Sequence, residues 1–177
     1  MGEYGAGCRD GLGRTVSLRP IRPDDEAFLY EVYASTRLDE LAVVDWDEAQ
    51  KAAFLHMQFA AQHTYYQEHY VGADFLVILV DDHPAGRLYV ARWDEEMCLM
   101  DIALLPAYRN AGIGSALLHA LMAEAAQAGK PVRIHVEKQN PALRLYTRLG
   151  FRPIADRGVY WFLEWSPTPS PPGRAQG

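Results

Sequence analysis

From Thr15 to Ile21 (TVSLRPI) apolar and polar residues alternate, which predicts a short strand ending near a proline. The period then lengthens. Behind Asp24 and Asp25, residues Phe28, Leu29, Val32 and Tyr33 recur at helical spacing and predict a helix over Glu26–Arg37. Asp45 stands three residues before Glu48, a capping-box spacing that predicts a longer helix running to about His69. Its apolar and aromatic stripe is Leu55, Phe59, His63, Tyr66 and Tyr70. Phe75–Val80 (FLVILV) is continuously apolar, as expected of a strand covered on both faces. Asp81–Gly86 has turn chemistry, Arg87–Trp93 reads as the returning strand, and Asp94–Glu96 makes the next turn. Met97–Leu105 is then a third strand, antiparallel to the second.

Helical spacing resumes at Gly112–Ala128, with Ile113, Leu117, Leu118, Leu121, Met122 and Ala125 on one face and Gly129 placed to end it left-handed. Pro131–Val136 reads as a strand again. A helix between it and Met97–Leu105 predicts a parallel pair joined by a right-handed crossover. Asn140 as cap and Pro141 at the first position predict a helix that ends at Gly150, and Phe151–Ala155 with Val159–Trp165 predict a closing hairpin. The expected fold is a mixed α/β domain around one sheet over residues 15–165. Residues 1–14 are expected to be a flexible segment, and 166–177 (SPTPSPPGRAQG) a disordered tail rich in Pro, Ser and Gly.

Composition narrows the function classes. A length of 177 residues, 49% of them hydrophobic, fits one domain with a full core. A net charge of -6 argues against a nucleic-acid binder and mildly favours a cationic acceptor such as an amine. Cys8 and Cys98 lie too far apart for a disulfide framework or a zinc spacing, so a reducing, cytoplasmic setting is expected, with no metal. No secretory leader and no membrane span are expected either.

Chemistry concentrates in PAYRNAGIGSALL, Pro106–Leu118, where a strand hands over to a helix. The first turn of a helix offers backbone N–H groups without intrahelical partners and a partial positive charge, and glycines let an anion approach them. On spacing alone Gly112 and Gly114 fit a tight turn and an anion cradle equally. A P-loop is disfavoured because no lysine precedes Ser115, and a dinucleotide fingerprint because Leu117 stands where a third small residue belongs. A nucleotide hydrolase is therefore the weakest of the enzyme readings.

The surrounding residues resemble a known family. LLPAYRNAGIGSALL looks like the acetyl-CoA-binding segment of the GNAT acetyltransferase superfamily, whose pattern is Arg or Gln, two residues, Gly, one residue, Gly or Ala. NPALRLYTRLGF, Asn140–Phe151, resembles that family's second block, and the order of elements is also similar. The resemblance implies a GNAT-like, mostly antiparallel sheet with a central parallel pair splayed to hold acetyl-CoA and helices on both faces. It implies that backbone amides of Arg109, Asn110, Ala111, Gly112, Ile113, Gly114 and Ser115 hold the coenzyme A pyrophosphate, the arginine side chain not being required to touch phosphate. The pantetheine arm would pair with Ile102, Ala103 and Leu104, lying between Met97–Leu105 and Val132–Val136.

Acetyl transfer needs a free amine, a polarised carbonyl and a proton for the leaving thiolate. Tyr146 resembles the family tyrosine that supplies that proton; its other reading is an aromatic on the inner face of a helix. Asn140 resembles a residue that bonds pantetheine, but stands six rather than seven positions before the tyrosine, and capping alone also explains it. For the general base, Asp101 is the first choice, against the alternative of a carboxylate on a solvated strand face; Glu95, Glu96, Glu137 and His135 lie nearby. His63, His69, Tyr65, Tyr66 and Tyr70 lie where the family's acceptor site forms, although helix packing explains them equally. The expected function is an acetyl-CoA-dependent N-acetyltransferase acting on an amine of a small molecule or of a peptide or protein. The alternative is a non-catalytic acyl-CoA-binding or sensing module. Many relatives of the family pair as dimers, so the resemblance leaves a homodimer open, and the residues themselves do not choose between assemblies.

Overall fold

The computed structural model describes residues 7–167. Residues 1–6 of the expected flexible segment and 168–177 of the expected tail lie outside them. The strands are β1 (Cys8–Arg9), β2 (Thr15–Pro20), β3 (Asp74–Val80), β4 (His83–Arg92), β5 (Met97–Leu104), β6 (Val132–Glu137), β7 (Arg152–Arg157) and β8 (Tyr160–Trp165). The helices are α1 (Glu26–Ser35), α2 (Leu38–Ala42), α3 (Glu48–His69), α4 (Ile113–Ala128) and α5 (Leu143–Arg148). The strands form one sheet in the order β1-β2-β3-β4-β5-β6-β8-β7, in which β5 and β6 are the parallel pair.

The chain resolves into two compact units. One comprises the residues up to Tyr89 with Asp101–Gly114, the other Val90–Met100 with the residues from Ser115 onward. In the first unit Leu29, Tyr33, Leu41, Leu55 and Phe59 of the first three helices form one core cluster. Leu76, Val77 and Ile78 of β3 are also buried, as its unbroken apolar run requires. In the second, α4 buries Leu117, Leu118, Leu121 and Ala125, and β6 buries Val132, Ile134 and Val136.

Several local readings shift. The capping box of α3 is Asp47 with Gln50, two residues later than expected: Asp47 Oδ1 accepts from the Gln50 amide at 2.8 Å, and Gln50 Oε1 from the Asp47 amide at 3.0 Å. Gln closes such a box as well as Glu does. Helix α5 starts at Leu143 rather than beside Asn140, because Asn140 Oδ1 accepts from the Ala142 amide at 2.9 Å and closes a turn first. Residues 8–14 are not a loose lead-in. Cys8 pairs with Val16 and Arg9 with Thr15, a hairpin too short to show hydrophobic periodicity.

Both glycine stops behave as the helix-end rule demands. Gly129 (φ 67) and Gly150 (φ 95) are left-handed. The amides of Gly129 and Lys130 donate to Ala126 and Ala125, and those of Gly150 and Phe151 to Thr147 and Tyr146. Each is a Schellman pair that satisfies the last carbonyls of its helix. Among the described residues no helix is long and apolar enough to cross a membrane.

Candidate active site

In the first unit, β4 and β5 approach unusually closely at Gly86. A Cβ there would lie 2.2 Å from the Ala103 carbonyl oxygen, and the Leu105 amide donates to the Ala85 carbonyl at 2.9 Å. Glycine is thus the residue that lets the half-buried Ile102–Leu104 segment pack where it does. A single turn over Pro106–Tyr108 follows, then Arg109 in extended conformation (φ -75, ψ 158). Asn110 (φ 59) and Gly112 (φ 79) are both left-handed, and buried Ile113 opens α4.

The Arg109 guanidinium is committed to protein: Nε donates to the Leu104 carbonyl at 2.9 Å and Nη2 to Ser35 Oγ at 3.1 Å. It staples the end of α1 to the end of β5. What the loop offers a ligand is backbone: the N–H groups of the first turn of a sixteen-residue helix, reached through two left-handed residues. That donor set fits a diphosphate and does not depend on a side-chain cation. Ser115 continues the helix in the second unit and is half-buried.

Asp101 lies in the first unit, in a cluster with Arg87, Gln62 and Tyr89, none of them among the expected site residues. It forms an ion pair through Oδ2 with Arg87, which is only 3% exposed. Arg87 Nη2 also donates to Gln62 Oε1 at 2.9 Å, and its Cζ lies 5.1 Å from the centroid of the Tyr89 ring. Tyr66 meets Tyr89 edge-on at 6.0 Å. Burial pushes the Tyr66 hydroxyl well above the ordinary tyrosine range, and the Asp101 carboxylate pushes the same way. Burial pushes Arg87 down, but Asp101, Tyr89 and Tyr66 together push it up, so the guanidinium stays charged. Asp101 is therefore not a carboxylate on a solvated face; it balances a buried cation.

In the second unit the β5–β6 register covers Met97 with Val132 and Cys98 with Arg133, while β6 stays paired with β8 as far as Glu137 and Tyr160. The two parallel strands thus share only their first residues. Tyr146 is buried on the inner face of α5 and packs edge-on against Phe151 at 5.6 Å. Asn140, in the same unit, spends its side-chain oxygen on the turn before that helix. Of the other acidic candidates, Glu96 pairs with Arg133, which also holds Glu164 at 2.7 Å. His135 is exposed, stacked on Phe162 at 4.3 Å.

Residues 22–151 match the model of the acetyltransferase (GNAT) family. The chain belongs to that family. Among solved structures, the PaiA N-acetyltransferase from Thermoplasma acidophilum, in complex with coenzyme A, has 18% identity and a TM-score of 0.64, over 85% of this chain and 98% of that one. An acetyltransferase from Thermus thermophilus matches equally well, at 18% identity and a TM-score of 0.64, over 85% of this chain and 96% of its own. A protein from Corynebacterium glutamicum, described as histone acetyltransferase HPA2 and related acetyltransferase, has 20% identity and a TM-score of 0.59, over 87% and 97%. At these identities the likeness is one of fold. No curated protein matches significantly.

Of the ring side chains expected at the acceptor site of this GNAT chain, Tyr65, Tyr66 and Tyr70 meet one another, Tyr66 and Tyr70 at 5.8 Å and Tyr65 and Tyr66 at 6.3 Å, while His63 packs elsewhere on α3. Tyr66 joins the Arg87 cluster. His63 stacks on Phe59 at 5.5 Å and lines a cavity of about 330 Å³ with Ile21, Arg22, Glu26 and Gln67. Tyr65 and His69 stack at 4.1 Å, with Tyr65 51% exposed. In the sequence Arg87 is only the first residue of the strand read over Arg87–Trp93. Its parity with Tyr89 on an inward face was the available signal, since a buried arginine requires a counter-charge.

Proposed function

We propose that this GNAT chain transfers an acetyl group from acetyl-coenzyme A to a primary amine, of a small molecule or of a peptide or protein, by direct attack with donor and acceptor bound together. The observation that supports this best is the backbone of Arg109–Gly114, where left-handed Asn110 and Gly112 lead into the open amides of α4. The coenzyme A in the Thermoplasma relative supports the same donor class.

When bound, acetyl-coenzyme A supplies an acyl group activated as a thioester. The amides from Asn110 to Ser115 would hold its pyrophosphate, the expected Arg109 amide being engaged by the Pro106 carbonyl at 3.3 Å, and the backbone of Ile102, Ala103 and Leu104 would pair with the pantetheine arm, with Asn140 a further polar contact. A free amine near pKa 10 is almost wholly protonated at neutral pH, so the acceptor needs a group to take its proton. Asp101 is assigned that role, as a carboxylate held in place by its ion pair with Arg87. The Tyr146 hydroxyl gives its proton to the departing sulfur.

The test is to incubate the protein with acetyl-CoA and a panel of amines and to follow free thiol. Amine-dependent thiol release is expected, with Tyr146→Phe slower by roughly 10²-fold or more and its coenzyme A affinity unchanged. A protein that binds coenzyme A yet turns over no amine would be an acyl-CoA-binding module instead.

A further inference from the structure

The residues just before the family-matched segment form a structure of their own against the glycine loop, all within the first unit. The turn after β1 closes on a single carboxylate. The Asp10 side chain has no accessible surface; Oδ1 accepts from the amides of Leu12 and Arg14, each at 2.9 Å, and Oδ2 from Arg14 Nε at 2.7 Å. Two backbone bonds, Asp10 amide to Arg14 carbonyl and Gly13 amide to Asp10 carbonyl, both at 3.1 Å, complete it. Burial pushes the Asp10 carboxyl up, but the Arg14 amide, the Arg14 guanidinium and the Leu12 amide together pull it below the ordinary carboxylate range. The turn is thus held in one shape by its charged state.

That shape meets the loop at one peptide. The Gly11 amide donates to the Ala111 carbonyl at 2.8 Å. The fit is close on both sides. A Cβ on Gly11 would lie 3.1 Å from the Ala111 oxygen, and one on Gly112 would lie 3.1 Å from the Gly11 nitrogen. Arg14 lies with its Cζ 5.8 Å from the centroid of the Tyr108 ring. A trans peptide is planar, with its C=O and N–H pointing in opposite directions. Anchoring the Ala111 oxygen on Gly11 therefore turns the N–H of Gly112, in the same peptide unit, away from the turn.

We propose that the Asp10–Arg14 turn is a positioning element for the cofactor loop: through Gly11 it orients the Ala111–Gly112 peptide so that the Gly112 N–H serves as a donor to the coenzyme A pyrophosphate. The proposal rests on the reading of that loop as a pyrophosphate clamp. Asp10 and Gly11 are positioning residues, since they act through Ala111 and Gly112 rather than on the ligand.

The test compares the full-length protein with Asp10→Ala, Asp10→Asn and Arg14→Met, using two donors. Acetyl-CoA carries the pyrophosphate; S-acetyl-pantetheine lacks it. The expected result for Asp10→Ala is a KM for acetyl-CoA and a coenzyme A Kd raised roughly tenfold, with kcat unchanged, because the turn loses its carboxylate anchor and the pyrophosphate with it loses the oriented Gly112 N–H. Its kcat/KM for S-acetyl-pantetheine should match wild type. Asp10→Asn, which keeps the acceptor for both amides, should recover most of the coenzyme A affinity. Arg14→Met removes the ion pair and the guanidinium over Tyr108 while keeping both backbone bonds to Asp10 Oδ1, and carries the comparison if Asp10→Ala fails to fold; an intermediate rise in KM is expected.

Equal losses on both donors, or an Asp10→Ala protein with wild-type affinity for coenzyme A, would overturn the proposal. A wild-type protein that binds no coenzyme A overturns the clamp reading itself, and the proposal with it.

Discussion

Asp101 and Arg87 bear on function and stability at once, because a buried guanidinium tolerates the interior only with a counter-charge beside it. Arg87 is 3% exposed and its partners are Asp101, Gln62 and the faces of Tyr33 and Tyr89. Asp101→Asn leaves that cation uncompensated, and a loss of about 3–5 kcal/mol of unfolding free energy in urea is expected. The double replacement Asp101→Leu with Arg87→Met removes both charges and should lie closer to wild type than Asp101→Asn does. If Asp101→Asn melts like wild type and loses only turnover, the pair is not a structural unit and Asp101 acts purely on substrate. The residue scale is also where the sequence was hardest to read. Asp101 stood out as a charge within an apolar strand, but its partner lies on another strand, and no local pattern joins the two.

At the scale of elements, the patterns carried further, for reasons that differ element by element. Gly129 and Gly150 were legible as helix stops because a left-handed residue after the last turn is a local requirement that glycine meets without steric cost. Phe75–Val80 was legible because a strand covered on both faces has no polar alternation to preserve. The start of α3 was displaced because Asp45 and Asp47 both have a suitable partner three residues on, and spacing alone does not choose between Glu48 and Gln50. Close backbone approach was not legible. Gly86 reads as part of a turn, DDHPAG, yet it lies inside β4 against Ala103. With 2.2 Å between the added Cβ and the Ala103 oxygen, Gly86→Ala must push β5 away. A destabilisation of about 1–3 kcal/mol is expected in urea unfolding, together with a raised KM for acetyl-CoA. An Ala variant with wild-type stability would mean that the two strands have slack at this point.

For the molecule as a whole, family membership rests on order and spacing along the chain: a late strand, a glycine loop, a helix, and a second block ending in Leu149-Gly150-Phe151. Those features sit within residues 22–151, the part that matches the GNAT family. The turn at Asp10 precedes that part and carries no family motif, and a two-residue strand such as β1 gives composition and periodicity nothing to register. The acceptor is a matter of loops and side chains particular to this chain, which is why the motifs named a donor and left the amine open.

The central claim is that the loop from Arg109 to Ser115 holds coenzyme A through its backbone. Calorimetric titration of the wild-type protein with coenzyme A, and separately with ATP and magnesium, tests it most directly. The account predicts one saturable site for coenzyme A, weakened in Gly112→Ala, and no comparable site for ATP with magnesium. Binding of ATP with magnesium in preference to coenzyme A, or no binding of coenzyme A at all, would contradict it.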